Sequence, residues 1–155
     1  MPDNPSIFQV TTPDESPGFS LWQVSSLWQR QINAGLRPFG LTHAQFVLLA
    51  SLAWFAGDKH PITQVELASH AKMDVMMTSN VLRTLEEKGL ILRKPHPTDT
   101  RAKALSITAQ GRKLAVQAIE VVEKIDHEFF KGLGGNSKKF NEYLLALIAA
   151  NQSAG

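Results

Sequence analysis

The 155-residue chain contains no cysteine. A disulfide scaffold, a thiolate zinc centre, a thiol nucleophile and a thiol peroxide sensor are therefore excluded, while the redox compartment stays open. It also lacks any run of about 18 uncharged apolar residues. The first 20 residues have neither the basic start nor the continuous apolar core of a secretory signal. A soluble, cytoplasmic protein is expected. A large excess of one charge is missing too: 16 Lys and Arg against 14 Asp and Glu leave a net charge of +2, which argues against a polybasic coat for membranes or nucleic acid. No internal repeat, nucleophile elbow, phosphate-cradling glycine loop or Ser/His/Asp order occurs. His43, His60, His70, His96 and His127 share no metal-ligand spacing. An enzyme, a metal and a cofactor are not expected.

What is present is enough apolar chain, 43% of residues, for one domain with a core of its own. Charge is unevenly placed. Residues 61–113 carry nine Lys and Arg against five Asp and Glu, whereas both flanking segments are slightly acidic. Only this middle third has a field suited to a polyanion.

Periodicity predicts a mainly helical chain with one β-hairpin. Residues 1–17, with Pro2, Pro5, Pro13 and Pro17, read as an extended or mobile arm. From Gly18 onward Leu21, Val24, Trp28 and Ile32 recur at helical spacing until Pro38 and Gly40. Thr42 and Gln45 form a capping box, with Leu41 and Phe46 as its hydrophobic staple. The helix that follows, Phe46 to Phe55, is apolar nearly all round, so it is expected to be buried on several sides. Thr63 and Glu66 form a second capping box for a short helix through Ala71. After Lys72 and Met73, Asp74 caps another helix that ends at Gly89, a residue suited to the left-handed C′ position. Leu90–Lys94 and Lys103–Ile107 read as two strands around a Pro/Asp/Thr turn. Thr108 caps a long helix with Leu114, Ala118, Val122, Ile125 and Phe129 on one side. Gly132, Gly134 and Gly135 break it, and a last helix carries Phe140, Leu144, Leu147 and Ile148.

Two short capped helices joined by a tight turn and followed by a hairpin make a winged helix-turn-helix. In the second of these helices Thr78, Val81, Leu82 and Leu85 face the core. The opposite face presents Met76, Met77, Ser79, Asn80, Arg83 and Thr84. Asn80 has the donor and acceptor pair that fits adenine, Ser79 can do either, and Arg83 can reach guanine or phosphate. Alternatively Arg83 pairs with Glu86 or Glu87 on the helix surface. Arg101 at the hairpin tip has the length and permanent charge to enter a narrow minor groove, or with Asp99 it merely stabilises a turn. Met76 and Met77 either touch thymine methyl groups or pack under neighbours.

The runs Gly40–Phe46, Thr63–Ala68, Leu85–Ile91, Asp99–Arg101 and Leu105–Gly111, taken in this order, resemble the MarR family of winged-helix transcriptional regulators over about residues 18–150. The resemblance implies an obligate homodimer, with residues 18–40 and 109–150 as dimerisation helices and residues 42–107 as the DNA-binding lobe. It further implies binding of pseudo-palindromic promoter DNA, usually as a repressor released by a small aromatic ligand. Carried over to this chain, Asp99 holds the wing and Arg101 enters the minor groove. The wider contact set is Thr63, Gln64, Met76, Met77, Ser79, Asn80, Arg83, Thr84 and Arg93. Independently of the family, the surplus apolar faces of the second and terminal helices ask for a subunit interface.

Trp22, Trp28, His43 and Trp54 are expected to border the join between the two regions, where an aromatic effector would need an apolar pocket with one polar group. Two other functions fit the same residues: a constitutive or activating DNA-binding module without effector, and a winged helix that binds proteins. Salt-sensitive duplex binding separates the second from both others.

Overall fold

The computed structural model describes residues 7–57 and 61–152. Part of the expected N-terminal arm, residues 1–6, and His60 lie outside them. The arm ends earlier than the prolines predict. Residues 13–15 form a 3-10 turn, Ser16 caps the next helix by accepting from Phe19 N–H at 3.2 Å, and Pro17 takes the first helical position, where its missing N–H costs nothing. Helix α1 therefore spans Pro17–Leu36.

The remaining helices follow their caps. Helix α2 (His43–Phe55) starts at the Thr42/Gln45 box and α3 (Gln64–Ala71) at the Thr63/Glu66 box, both with the two reciprocal hydrogen bonds formed. Asp74 opens α4 (Val75–Glu87) by accepting from Met77 N–H at 2.9 Å. Thr108 does the same for α5 (Ala109–Phe130), and α6 (Ser137–Asn151) closes the chain. Gly89 has φ +75° at the end of α4, a backbone state in which a Cβ is strained.

The sheet has one strand more than the hairpin pattern predicts. Beside β2 (Ile91–Pro95) and β3 (Lys103–Ile107), residues Ile62–Thr63 form a two-residue strand, β1, antiparallel to β3 and pairing Ile62 with Leu105. Two residues are too few to show an alternating pattern, which is why periodicity misses them. Pairing β1 to the wing fixes the start of α3 against β3.

Helix α2 is the hub. Phe46, Leu48, Leu49 and Leu52 are buried among Ile32 and Leu36 of α1, Leu67 of α3, Leu82 and Leu85 of α4, and Ala115, Ala118 and Val122 of α5. Trp54 departs from the expectation of an all-round buried helix: it is 81% exposed at the C-terminal end of α2. At the other extreme α6 has no fully buried residue: Phe140 and Leu144 are half-buried, and Tyr143, Leu145, Leu147 and Ile148 are exposed. On α1, Phe19, Leu21, Trp22 and Leu27 are exposed as well. No single helix among the described residues is long and apolar enough to cross a membrane. Helices α1 and α2 meet that composition only together, with a 73° bend between them.

Candidate nucleic-acid interface

Helix α4 is oriented by its apolar stripe. Thr78, Leu82 and Leu85 are fully buried, and the Thr78 hydroxyl donates to the Asp74 carbonyl at 2.8 Å, so the one polar group on that side is satisfied. The opposite face is left to solvent. Met76, Met77, Asn80 and Arg83 are exposed, and Ser79 and Thr84 are half-buried, with the Thr84 hydroxyl donating back to the Asn80 carbonyl. Both methionines point outward instead of packing beneath neighbours.

Of the two acids that could pair with Arg83, Glu86 is occupied elsewhere and Glu87, though exposed one turn on, makes no ion pair among the described residues. Glu86 reaches across to β2 and holds Arg93, with the guanidinium Nη2 at 3.3 Å. Arg83 therefore has no ion pair among the described residues. Arg93, expected among the DNA contacts, is half-buried and tied to α4 through Glu86.

Wing geometry rests on two side chains. Asp99 Oδ1 accepts from the backbone N–H of Arg101 at 3.0 Å, an Asx-type turn that uses the acid on the backbone and leaves the guanidinium free. His96, which the sequence offers no reason to single out, folds the turn from inside: its Nδ1 accepts from the N–H groups of Thr98 at 3.2 Å and Asp99 at 3.1 Å. The one available signal is an acceptor side chain two and three residues before two free N–H groups in a Pro-rich turn.

Between the start of α3 and the wing lies a cleft of about 490 Å³, lined on one side by Thr63, Gln64, Val65 and Glu66 and on the other by Asp99, Arg101 and Lys103. The Glu66 carboxylate is engaged with Thr63 N–H at 2.9 Å, so the acid on this wall is partly offset by the helix start.

The four residues expected at an effector pocket do not come together. Trp28 and His43 form an edge-on ring pair, centroids 5.0 Å apart, and Trp28 Nε1 donates to Asp126 Oδ1 of α5 at 2.7 Å. Burial lowers the His43 pKa, against an opposing pull from Asp126. Trp22 is 71% exposed on another face of α1. Trp54 stands eleven residues beyond His43, about 16 Å along the same helix. Next to Trp28 is an apolar hollow of about 290 Å³ among α1, α5 and α6, walled by Val24, Phe129, Phe130, Phe140 and Leu144. It adjoins a more polar hollow of about 450 Å³ that shares three of those walls and adds Asp126 and His127. Among the described residues no group of three or more His, Asp or Glu side chains could hold a metal ion.

Comparison with known proteins places this geometry. The profile of the MarR family matches residues 41–103. An HTH-type transcriptional regulator of Bacillus subtilis (strain 168), YdcH, whose role is uncharacterised, is 46% identical over 118 residues, covering 76% of this chain and 80% of its own. A mutant of E. coli MarR complexed with operator DNA is 30% identical with a TM-score of 0.74, covering 84% of this chain and 91% of its own. CouR from Rhodococcus jostii RHA1, bound to p-coumaroyl-CoA, shares the fold at a TM-score of 0.76 and 23% identity, covering 91% of this chain and 95% of its own.

Proposed function

The chain belongs to the MarR family of transcriptional regulators, and we propose that it is a cytoplasmic repressor that binds a pseudo-palindromic promoter site as a homodimer. The observation that carries the reading is the exposure of Asn80, Arg83 and Arg101, three side chains of base-reading or phosphate-reading chemistry with no side-chain partner among the described residues. Helix α4 enters the major groove by its N-terminal half, with Asn80 on adenine and Arg83 on guanine or phosphate. Arg101 enters the flanking minor groove. Thr63 and Gln64 approach the backbone from the start of α3, and the cleft between α3 and the wing admits the sugar-phosphate strand.

Homodimerisation is supported by the unburied apolar faces of α1 and α6. Residues 18–40 and 109–150 form the subunit interface and residues 42–107 the DNA-binding lobe, so the helices that join two copies also set the distance between two α4 helices. A small aromatic effector in the hollow beside Trp28 alters that distance, and DNA is released to the extent that the ligand prefers the arrangement that no longer fits. Trp28 lines the hollow and its ring meets His43, the first residue of α2, so the hollow is linked to the lobe through this ring pair.

The test is recovery of genomic fragments by the purified full chain at physiological salt, with sedimentation of free and DNA-bound protein. The expected result is an enriched inverted repeat, its half-sites about one helical turn apart, bound by a dimer. A monomer that enriches no fragment would overturn the reading.

A further inference from the structure

Helix α4 carries one ridge whose order is informative. Met76, Asn80, Arg83 and Glu87 stand at i, i+4, i+7 and i+11, all exposed, opposite the buried Thr78, Leu82 and Leu85. Along the helix the ridge reads thioether, amide, cation, acid. Glu87 at the far end repels phosphate, so the helix approaches a duplex by the end that Met76 heads, where the helix dipole is also favourable. Met76 is 74% exposed and makes no polar contact of its own side chain among the described residues. The neighbouring Met77 and Val75 are 47% and 50% exposed. The leading turn of the helix is thus apolar inside an otherwise polar surface.

The major-groove edge of a base pair has one apolar feature, the C5-methyl of thymine. A flexible, polarisable thioether is well suited to cover it. Asn80, one turn behind Met76 on the same ridge, has the chemistry for an adjacent adenine. We infer that Met76 is a specificity-determining residue that recognises the thymine C5-methyl group beside the base pair read by Asn80. This rests on the DNA-binding reading above. 5-Methylcytosine offers the same methyl group, and thymine is the source to which the inference commits.

The experiment uses the full-length dimer and a duplex selected by it at fixed physiological salt. Each thymine of a half-site is replaced in turn by deoxyuridine, which keeps the pairing and removes only the methyl. At one position per half-site, affinity is expected to fall about fourfold, the worth of one buried methylene-sized group, and by the square of that when both half-sites are substituted. Met76→Ala is expected to bind the thymine and uracil duplexes alike, whereas Met76→Leu retains the discrimination. Unchanged melting of both variants shows that the fold is intact. A 5-methylcytosine–guanine pair at that position is expected to bind less tightly than the thymine–adenine pair, and equal binding would overturn thymine as the source. Uniform tolerance of uracil, or discrimination that survives Met76→Ala, would overturn the inference while DNA binding stands. Failure of the wild-type chain to retain any duplex would overturn both.

Discussion

Glu86 at the end of α4 grips Arg93 of β2 twice, taking its guanidinium on Oε1 at 3.3 Å and its backbone N–H on Oε2 at 3.2 Å. Helix and wing are thereby braced at a fixed angle, so the reach of Asn80 and that of Arg101 are set together. The pair is partly shielded, with side-chain exposures of 20% for Arg93 and 36% for Glu86.

Arg93→Met is expected to lower stability by about 1 kcal/mol, the scale of a lost, partly solvated charge-assisted contact. It should weaken operator binding without altering the dependence on salt. Denaturant melts and a salt titration of affinity check both parts, and a drop in slope would make Arg93 a phosphate contact instead of a brace.

Arg101→Ala should behave in the opposite way. Its guanidinium is exposed and the Asp99 carboxylate is engaged with the backbone, so stability should move by less than about 0.5 kcal/mol. The slope of log affinity against log salt should shrink by about one phosphate contact per subunit. An unchanged slope would remove the wing from DNA binding.

His43 makes stability depend on pH. Its pKa is lowered in the folded chain, chiefly by burial and with a smaller opposing effect of Asp126, so below the unperturbed value of about 6.5 the unfolded chain takes up the proton more readily. The contribution is fully present above that pH and declines as pH falls through the window down to the folded value. Thermal melts from pH 8 to pH 5 should show this loss, and His43→Gln should flatten it.

Gly111→Ala should destabilise by about 1–3 kcal/mol. A Cβ there would collide with the Leu90 carbonyl, which is backbone and cannot rotate away. Hydrogen exchange should show the junction of β2 and α5 opening first.

On the proposed homodimer, charge placed on α6 should separate the subunits. Ile148 is exposed in the single chain and buries nothing there, so Ile148→Asp should leave the melting of an isolated subunit unaffected by lost core packing. Sedimentation should report half the mass and operator affinity should collapse, because each half-site then binds alone. A dimer of undiminished stability would move the interface elsewhere.

Local chemistry alone determined much of this protein. Each cap is a short-range exchange between a side chain and N–H groups three residues away, so Thr42, Thr63, Asp74 and Thr108 mark helix starts without reference to the rest of the fold. The stripe of Thr78, Leu82 and Leu85 likewise fixes which face of α4 is left for other work. What only the tertiary structure decided are relations between residues distant in sequence. Strand β1 exists because β3 offers an edge. Glu86 is held by Arg93 of β2 and so is not the partner of Arg83. Lys88 ties the end of α4 to the corner before α2, donating to the Gly40 carbonyl at 2.6 Å and to Gln45 Oε1 at 3.1 Å. Trp28 and His43 meet while Trp22 and Trp54 do not, because two rings on one helix share a pocket only when rotation and rise both agree. Periodicity supplies the rotation of each helix, but only the packing of α1 against α2 and α5 supplies the neighbours.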